Sequence, residues 1–221
     1  MAQKSIVSHM YDAGSINHNA FSLCPSWNGG TMSIGGTSLS YPNNRHLEPM
    51  HFVPINKGHG WYSIEILSVH LGGILLTDEV TIAAFNDNKG TIIDTGTTDT
   101  FLPNVLRQKY ASAWEQLTGK KYSNEAESYD YSHFQSLPDI IFTLKGGYEW
   151  SVGKGNYMEE VLLPNTPIRR SVSEWDGEKL YINRIYVDEP DGCVLGLNSM
   201  YDNDILFDQQ QMRVGIAHAF C

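Results

Sequence analysis

The stretch Thr91-Ile92-Ile93-Asp94-Thr95-Gly96-Thr97-Thr98, closed by Leu102-Pro103, constrains this chain more than any other. Two β-branched apolar residues, Ile92 and Ile93, read as the end of a buried strand. The chain then turns at Asp94-Thr95-Gly96 and runs on into a Pro-led helix, which leaves one carboxylate at a loop tip. Such a loop suits an acid held rigidly at the floor of a cleft, with a glycine where the backbone must approach closely and hydroxyls to donate hydrogen bonds to the carboxylate. An Asp-Thr/Ser-Gly tripeptide arises by chance in about one chain in ten of this length, and most such cases are ordinary Asx turns. What makes this one specific is its setting: two apolar residues before it, Thr97-Thr98 after it, and an apolar-Pro step into a helix.

Around this loop the chain is patterned as β structure. Residues Ala20 to Ile66 read as short strands separated by turn signals at Trp27-Asn28-Gly29-Gly30, Tyr41-Pro42-Asn43-Asn44 and Lys57-Gly58-His59-Gly60. Alternation is clearest at Trp61 to Ile66, and Leu67 to Ile82 reads as a further strand pair broken at Gly72-Gly73. Asp87-Asn88-Lys89-Gly90 is the turn that delivers the chain to Ile92. Beyond the loop, Leu106, Tyr110, Ala113 and Leu117 recur at helical spacing until Gly119, with Pro103 suited to the first turn. Lys120 to Gln135, polar and without a period, reads as an exposed insertion. Strands resume at Ile140 to Leu144, Tyr148 to Val152, Val161 to Leu163, Lys179 to Val187, Val194-Leu195 and Val214 to Ala217, with a turn at Pro164 to Pro167. A short helix spans Ser5 to Ile16, ending in a Gly14 turn. The expected fold class is therefore all-β, mainly antiparallel, with a few short helices.

Several further pieces join the Asp94 loop in kind and order. They are Phe21-Ser22-Leu23-Cys24, Gly29-Gly30-Thr31-Met32-Ser33-Ile34-Gly35-Gly36, His51-Phe52-Val53-Pro54-Ile55 and Trp61-Tyr62-Ser63-Ile64-Glu65 upstream. Downstream stand Leu137 to Phe142, Cys193-Val194-Leu195-Gly196, Phe207-Asp208 and Arg213 to Ala217. Together these resemble the C-terminal lobe of pepsin-like aspartic proteases, over roughly residues 20 to 221. The early Cys24 and the terminal Cys221 place the resemblance nearest the β-secretase and plasmepsin-like branch. Enzymes of that family have two lobes, each giving one Asp-Thr/Ser-Gly loop, whereas this sequence contains a single such loop and nothing resembling the first lobe's flap.

The resemblance implies a pepsin-like acid protease fold, one lobe of a bilobal enzyme, with residues 1–20 as an inter-lobe segment and 21–221 as the C-terminal catalytic lobe. It implies peptide-bond hydrolysis by a water activated between two aspartates, Asp94 being one and the other belonging to a missing N-terminal lobe. By position, Thr95 is expected to lock the two loops together, Gly96 and Thr98 to contact substrate, and Thr97 to hydrogen-bond the outer oxygen of Asp94. Ile92 and Trp61 match positions that line the cleft. Cys24 and Cys221 are expected to form a disulfide. Cys193 is then left over, as a buried free thiol or a partner for another chain.

Composition excludes other classes. With 41% hydrophobic residues, 20 Gly and 12 Tyr, the chain is that of a β-rich globular protein able to bury a core. The net charge of -10 argues against nucleic acid and against an anionic membrane surface. No Cys-x-x-Cys, His-Glu-x-x-His or acidic calcium series is present, so neither a metal nor another cofactor is expected. The partners expected are a peptide or protein substrate and the N-terminal lobe. An expected disulfide points to the secretory pathway, with vacuolar, lysosomal and extracellular destinations equally suited, membrane anchoring by a segment outside this sequence included. No apolar run of signal-peptide kind occurs in residues 1–19, and the Met1 start is expected to belong to a fragment. Two other readings stand beside the half-enzyme: a lobe that pairs with a copy of itself, and a catalytically inactive binder of peptides or proteases.

Overall fold

The computed structural model describes residues 4–37, 45–56, 60–161 and 177–221. The expected turns at Tyr41 to Asn44 and Pro164 to Pro167, residues 57–59 of the Lys57 to Gly60 turn, and all but Val161 of the Val161 to Leu163 strand lie outside these. Among the described residues seventeen strands form four sheets, mainly antiparallel, with a few short helices. The expected fold class is what the chain adopts.

In the sheet that carries Asp94, the strands Thr91–Ile93 and Cys193–Leu195 are buried at every position. Thr91–Ile93 and Cys193–Leu195 lie side by side and parallel, with Ile92 opposite Val194 and Ile93 opposite Leu195. On the far side of Cys193–Leu195 runs Thr100–Pro103, antiparallel to it, and Ile185–Glu189 pairs parallel to that strand. Ser63–Ile64 closes the other edge. The chain therefore leaves Thr91–Ile93, loops through Asp94 to Asp99, and returns two strands away, with Cys193–Leu195 threaded between.

A second sheet of five strands runs in the order Gly29–Ile34, Ala20–Ser26, Asn203–Asp208, Arg213–His218, His51–Pro54. One face contributes Val53, Ile205, Phe207, Val214 and Ile216 to the main core. Helix Arg107–Thr118 packs Tyr110, Ala113 and Trp114 into the same core and stops at Gly119, whose φ of 72° is the left-handed cap that glycine takes without strain. The sequence marks this end correctly, but it is Trp114 rather than the more exposed Leu117 that fills the core.

Three expectations are corrected. Leu67 to Ile82 is not strand throughout: after the hairpin Ile66–Leu71 and Ile74–Leu75, Asp78 caps the helix Glu79–Asn86 in a capping box with Thr81. Lys120 to Gln135 is not a free insertion. Tyr129 is buried, Glu127–Tyr129 pairs with Lys179–Asn183, and Tyr122 donates its hydroxyl to the Ile185 carbonyl and meets Tyr110 edge-on. Lys179 to Val187 is two strands in different sheets, Lys179–Asn183 and Ile185–Glu189, broken at Arg184. In the last two cases partners far along the chain supply what local periodicity lacks.

Cys24 and Cys221 form a disulfide across a separation of 197 residues, and Cys193 is free and buried among apolar strands, which pushes its thiol pKa up. Among the described residues no helix is long and apolar enough to cross a membrane.

Candidate active site

Asp94 sits where the Thr91–Ile93 strand ends, and its own amide donates to the Leu195 carbonyl at 3.0 Å, so its backbone is fixed by the neighbouring parallel strand. Its carboxylate is held through both oxygens. The Gly96 amide donates to Oδ1 at 2.9 Å and the Thr97 hydroxyl to Oδ2 at 2.7 Å. A Cβ at Gly96 would lie 3.2 Å from Oδ1, so the glycine keeps this side of the acid clear. Hydrogen bonds of this charge-assisted kind are the strong ones. Asp94 is partly exposed, and Thr95, Gly96 and Thr98 are exposed beside it.

The loop is clamped from below by the turn after Cys193–Leu195. Leu197 donates its amide to the Thr97 carbonyl at 2.7 Å and Asn198 its amide to the Thr98 carbonyl at 3.0 Å. Gly196 makes this crossing possible. A Cβ there would come within 2.8 Å of the Thr97 carbonyl oxygen and closer still to that of Asp99. The Asn198 side chain completes the clamp, accepting from the Thr100 hydroxyl at 2.7 Å and donating to the Arg184 carbonyl at 3.0 Å.

The remaining candidates are distributed unevenly. Ile92 is buried between Val194 and Ser63, so it supports the loop from within the sheet. Trp61 is 61% exposed, in the bend just before Ser63–Ile64, and lines an apolar hollow of about 620 Å³ with Ile55, Tyr62, Gln209 and Met212. Its neighbour Tyr62 is the one tied to the site: its carbonyl accepts from the Ile93 amide at 3.1 Å, and its hydroxyl, raised in pKa by burial, accepts from Gln209 at 2.6 Å. Gln209 in turn accepts from Ser8 on the helix Ile6–Asp12 at 2.8 Å. No sequence signal distinguishes Tyr62 in this role, because its partner lies 147 residues away.

Not every other acid faces solvent. Asp204 is fully buried and paired with His46 at 2.9 Å, and Asp208 is buried against Arg213. Asp99, five residues after Asp94, faces Arg184, which is also bound by Glu159. Among the described residues no group of His, Cys, Asp and Glu has the arrangement to hold a metal ion.

Residues 1–219 match the family model described as Eukaryotic aspartyl protease. A search of curated proteins returned no match.

Proposed function

Because the chain belongs to the eukaryotic aspartyl protease family, a family of hydrolases, we propose that it is the C-terminal half of an aspartic endopeptidase with Asp94 as one of two catalytic carboxylates. The second is supplied by an N-terminal lobe, docked so that its own Asp-Thr/Ser-Gly loop meets this one. The observation that carries this reading is the Asp94 carboxylate itself, held on both oxygens by Gly96 and Thr97 at a partly exposed loop tip, in a sequence with only one such loop.

The chemistry follows from the pair. Two carboxylates a few ångströms apart cannot both ionise, so they share one proton, as in aspartic proteases generally. The ionised member takes a proton from water as the water attacks the scissile carbonyl, and the protonated member donates to the carbonyl oxygen. The titration then belongs to the pair, not to Asp94 alone. On this chain Thr97 and the Gly96 amide fix the carboxylate plane. In this reading Thr95 meets the other lobe, Gly96 and Thr98 meet a peptide and Trp61 offers an apolar wall, and the exposure of all four supports it. The nearest branch is the β-secretase and plasmepsin-like one, and the Cys24–Cys221 disulfide suits an oxidising compartment of the secretory pathway.

The test is pepstatin-sensitive cleavage of a mixed peptide library at acid pH. The chain alone is expected to be inactive, and the chain refolded with an N-terminal lobe of a related protease active, with activity lost in Asp94→Asn. Cleavage by the chain alone, lost in Asp94→Asn, would instead mean self-pairing. An assembled pair that binds peptides and never cleaves would favour the inactive binder.

A further inference from the structure

The strand order sets what stands beside Asp94. Thr91–Ile93 and Cys193–Leu195 run parallel, Thr100–Pro103 runs against them, and Ile185–Glu189 runs with Thr100–Pro103. The end of the first strand and the starts of the last two therefore lie on one edge of the sheet. Asp94 follows Ile93, Asp99 precedes Thr100, and Arg184 precedes Ile185, so all three share that edge although Arg184 is 90 residues from Asp94 in sequence.

Neighbouring strands are about 4.8 Å apart, which puts Asp99 roughly 10 Å and Arg184 roughly 14 Å from Asp94 along the edge. An extended peptide advances about 3.3 Å per residue, so a chain stretched along this edge from Asp94 reaches the two with its third and fourth residues. What it meets there is built. Arg184 donates through Nε and Nη2 to Oε2 of Glu159 and through Nη1 to the Tyr186 hydroxyl at 3.3 Å, and Nη1 lies 3.9 Å from Asp99 Oδ2. Tyr186 stacks on Phe101 with ring centres 5.2 Å apart. One guanidinium is thus shared by two carboxylates. Side-chain exposures are 41% for Glu159, 30% for Arg184 and 19% for Asp99, so the most open of the three is a carboxylate.

We propose that the Asp99–Arg184–Glu159 cluster, walled by Phe101 and Tyr186, is a charge-selecting subsite that favours a basic side chain and disfavours an acidic one three to four residues from the bond cut. Arg184 holds the two acids in place, and the cluster keeps one negative charge in excess, against which an incoming ammonium or guanidinium is attracted and a carboxylate repelled. This deepens the protease reading and rests on it, because it takes the substrate to lie along the Asp94 edge.

The test is direct binding to this chain, which needs no cleavage. Isotope-labelled protein is titrated with extended peptides identical except for Lys, Ala or Glu at each position in turn, following the Arg184 Nε–H resonance and the Thr98 and Asp99 amides. At low salt, Lys at one position is expected to bind about threefold tighter than Ala and about tenfold tighter than Glu, the size of a partly exposed ion pair. The ranking should flatten at about 0.5 M salt and in Glu159→Gln, with the melting temperature of that variant unchanged. Asp94→Asn should keep the ranking while losing cleavage in the assembled protease, so the two readings fail separately. Equal affinity for the three peptides, no binding of any, shifts remote from Arg184, or a ranking that survives Glu159→Gln would each overturn the proposal.

Discussion

The Thr97 hydroxyl donates a 2.7 Å hydrogen bond to Oδ2 of Asp94, three residues earlier on the same loop. A hydrogen bond to a charged group contributes about 1.5–3 kcal/mol. In the assembled protease, Thr97→Val is therefore expected to lower kcat about 10- to 100-fold with a smaller change in KM. Steady-state kinetics check this, and an unchanged kcat would remove Thr97 from the positioning role.

Gly196 carries the clamp beneath that loop. Because a Cβ would lie within 2.8 Å of the Thr97 carbonyl and nearer to that of Asp99, Gly196→Ala must push backbone apart rather than a flexible side chain. The expected cost is about 3 kcal/mol or more, at the upper end of overpacking effects. Urea denaturation measures it; a variant as stable as the parent would mean the crossing is looser than described.

The His46 and Asp204 side chains are 3% and 0% exposed, and the Thr37 hydroxyl donates to the same Asp204 oxygen. Removing one partner strands a buried polar group at a cost of about 3–5 kcal/mol, whereas replacing both by apolar residues of similar volume restores much of the loss. His46→Leu is thus expected to be less stable than His46→Leu/Asp204→Leu, a comparison that calorimetry decides. Additive losses would show the pair to be uncoupled.

The disulfide closes a loop that spans nearly the whole chain. Replacing Cys24 and Cys221 by Ser should lower stability by about 2–5 kcal/mol and leave the buried Cys193 unreactive to alkylation until the protein unfolds.

Acid should loosen two helix starts. Backbone and side-chain hydrogen bonds, chiefly from Thr81 to Asp78 and from His133 and Ser132 to Asp130, hold both cap carboxylates below the usual range. A folded-state pKa below the unfolded one means the stabilisation is complete above the unfolded value and is lost as pH falls through the folded one. Protection factors in Glu79–Asn86 and Tyr131–Gln135, hydrogen exchange corrected for the intrinsic pH dependence of amide exchange, should therefore fall on acidification through that window. Asp78→Asn should blunt this pH dependence in Glu79–Asn86 alone.

Much of this protein is decided within short stretches of sequence. Ile92 and Ile93 followed by Asp94-Thr95-Gly96-Thr97 specify a buried strand, a turn and an acid held by its own loop, because every group involved lies within three residues. Gly119 ends its helix and Gly14 its own for the same local reason. Asp78 and Thr81, three residues apart, start the helix Glu79–Asn86 with a capping box for the same local reason, although the apolar run before it reads as strand. What the sequence does not show is pairing across distance. Tyr122 and Tyr129 look solvated until Tyr110, Ile185 and Lys179–Asn183 are brought to them; Asp204 looks like a turn acid until His46 covers it, 158 residues away. The assembly of Asp94, Asp99 and Arg184 on one edge depends on strand order, which nothing in any single segment encodes. Local patterning chose the elements and the acid; the threading of Cys193–Leu195 between the two arms of the Asp94 loop chose its neighbours, because here residues far apart in sequence meet where the sheet sets their strands side by side.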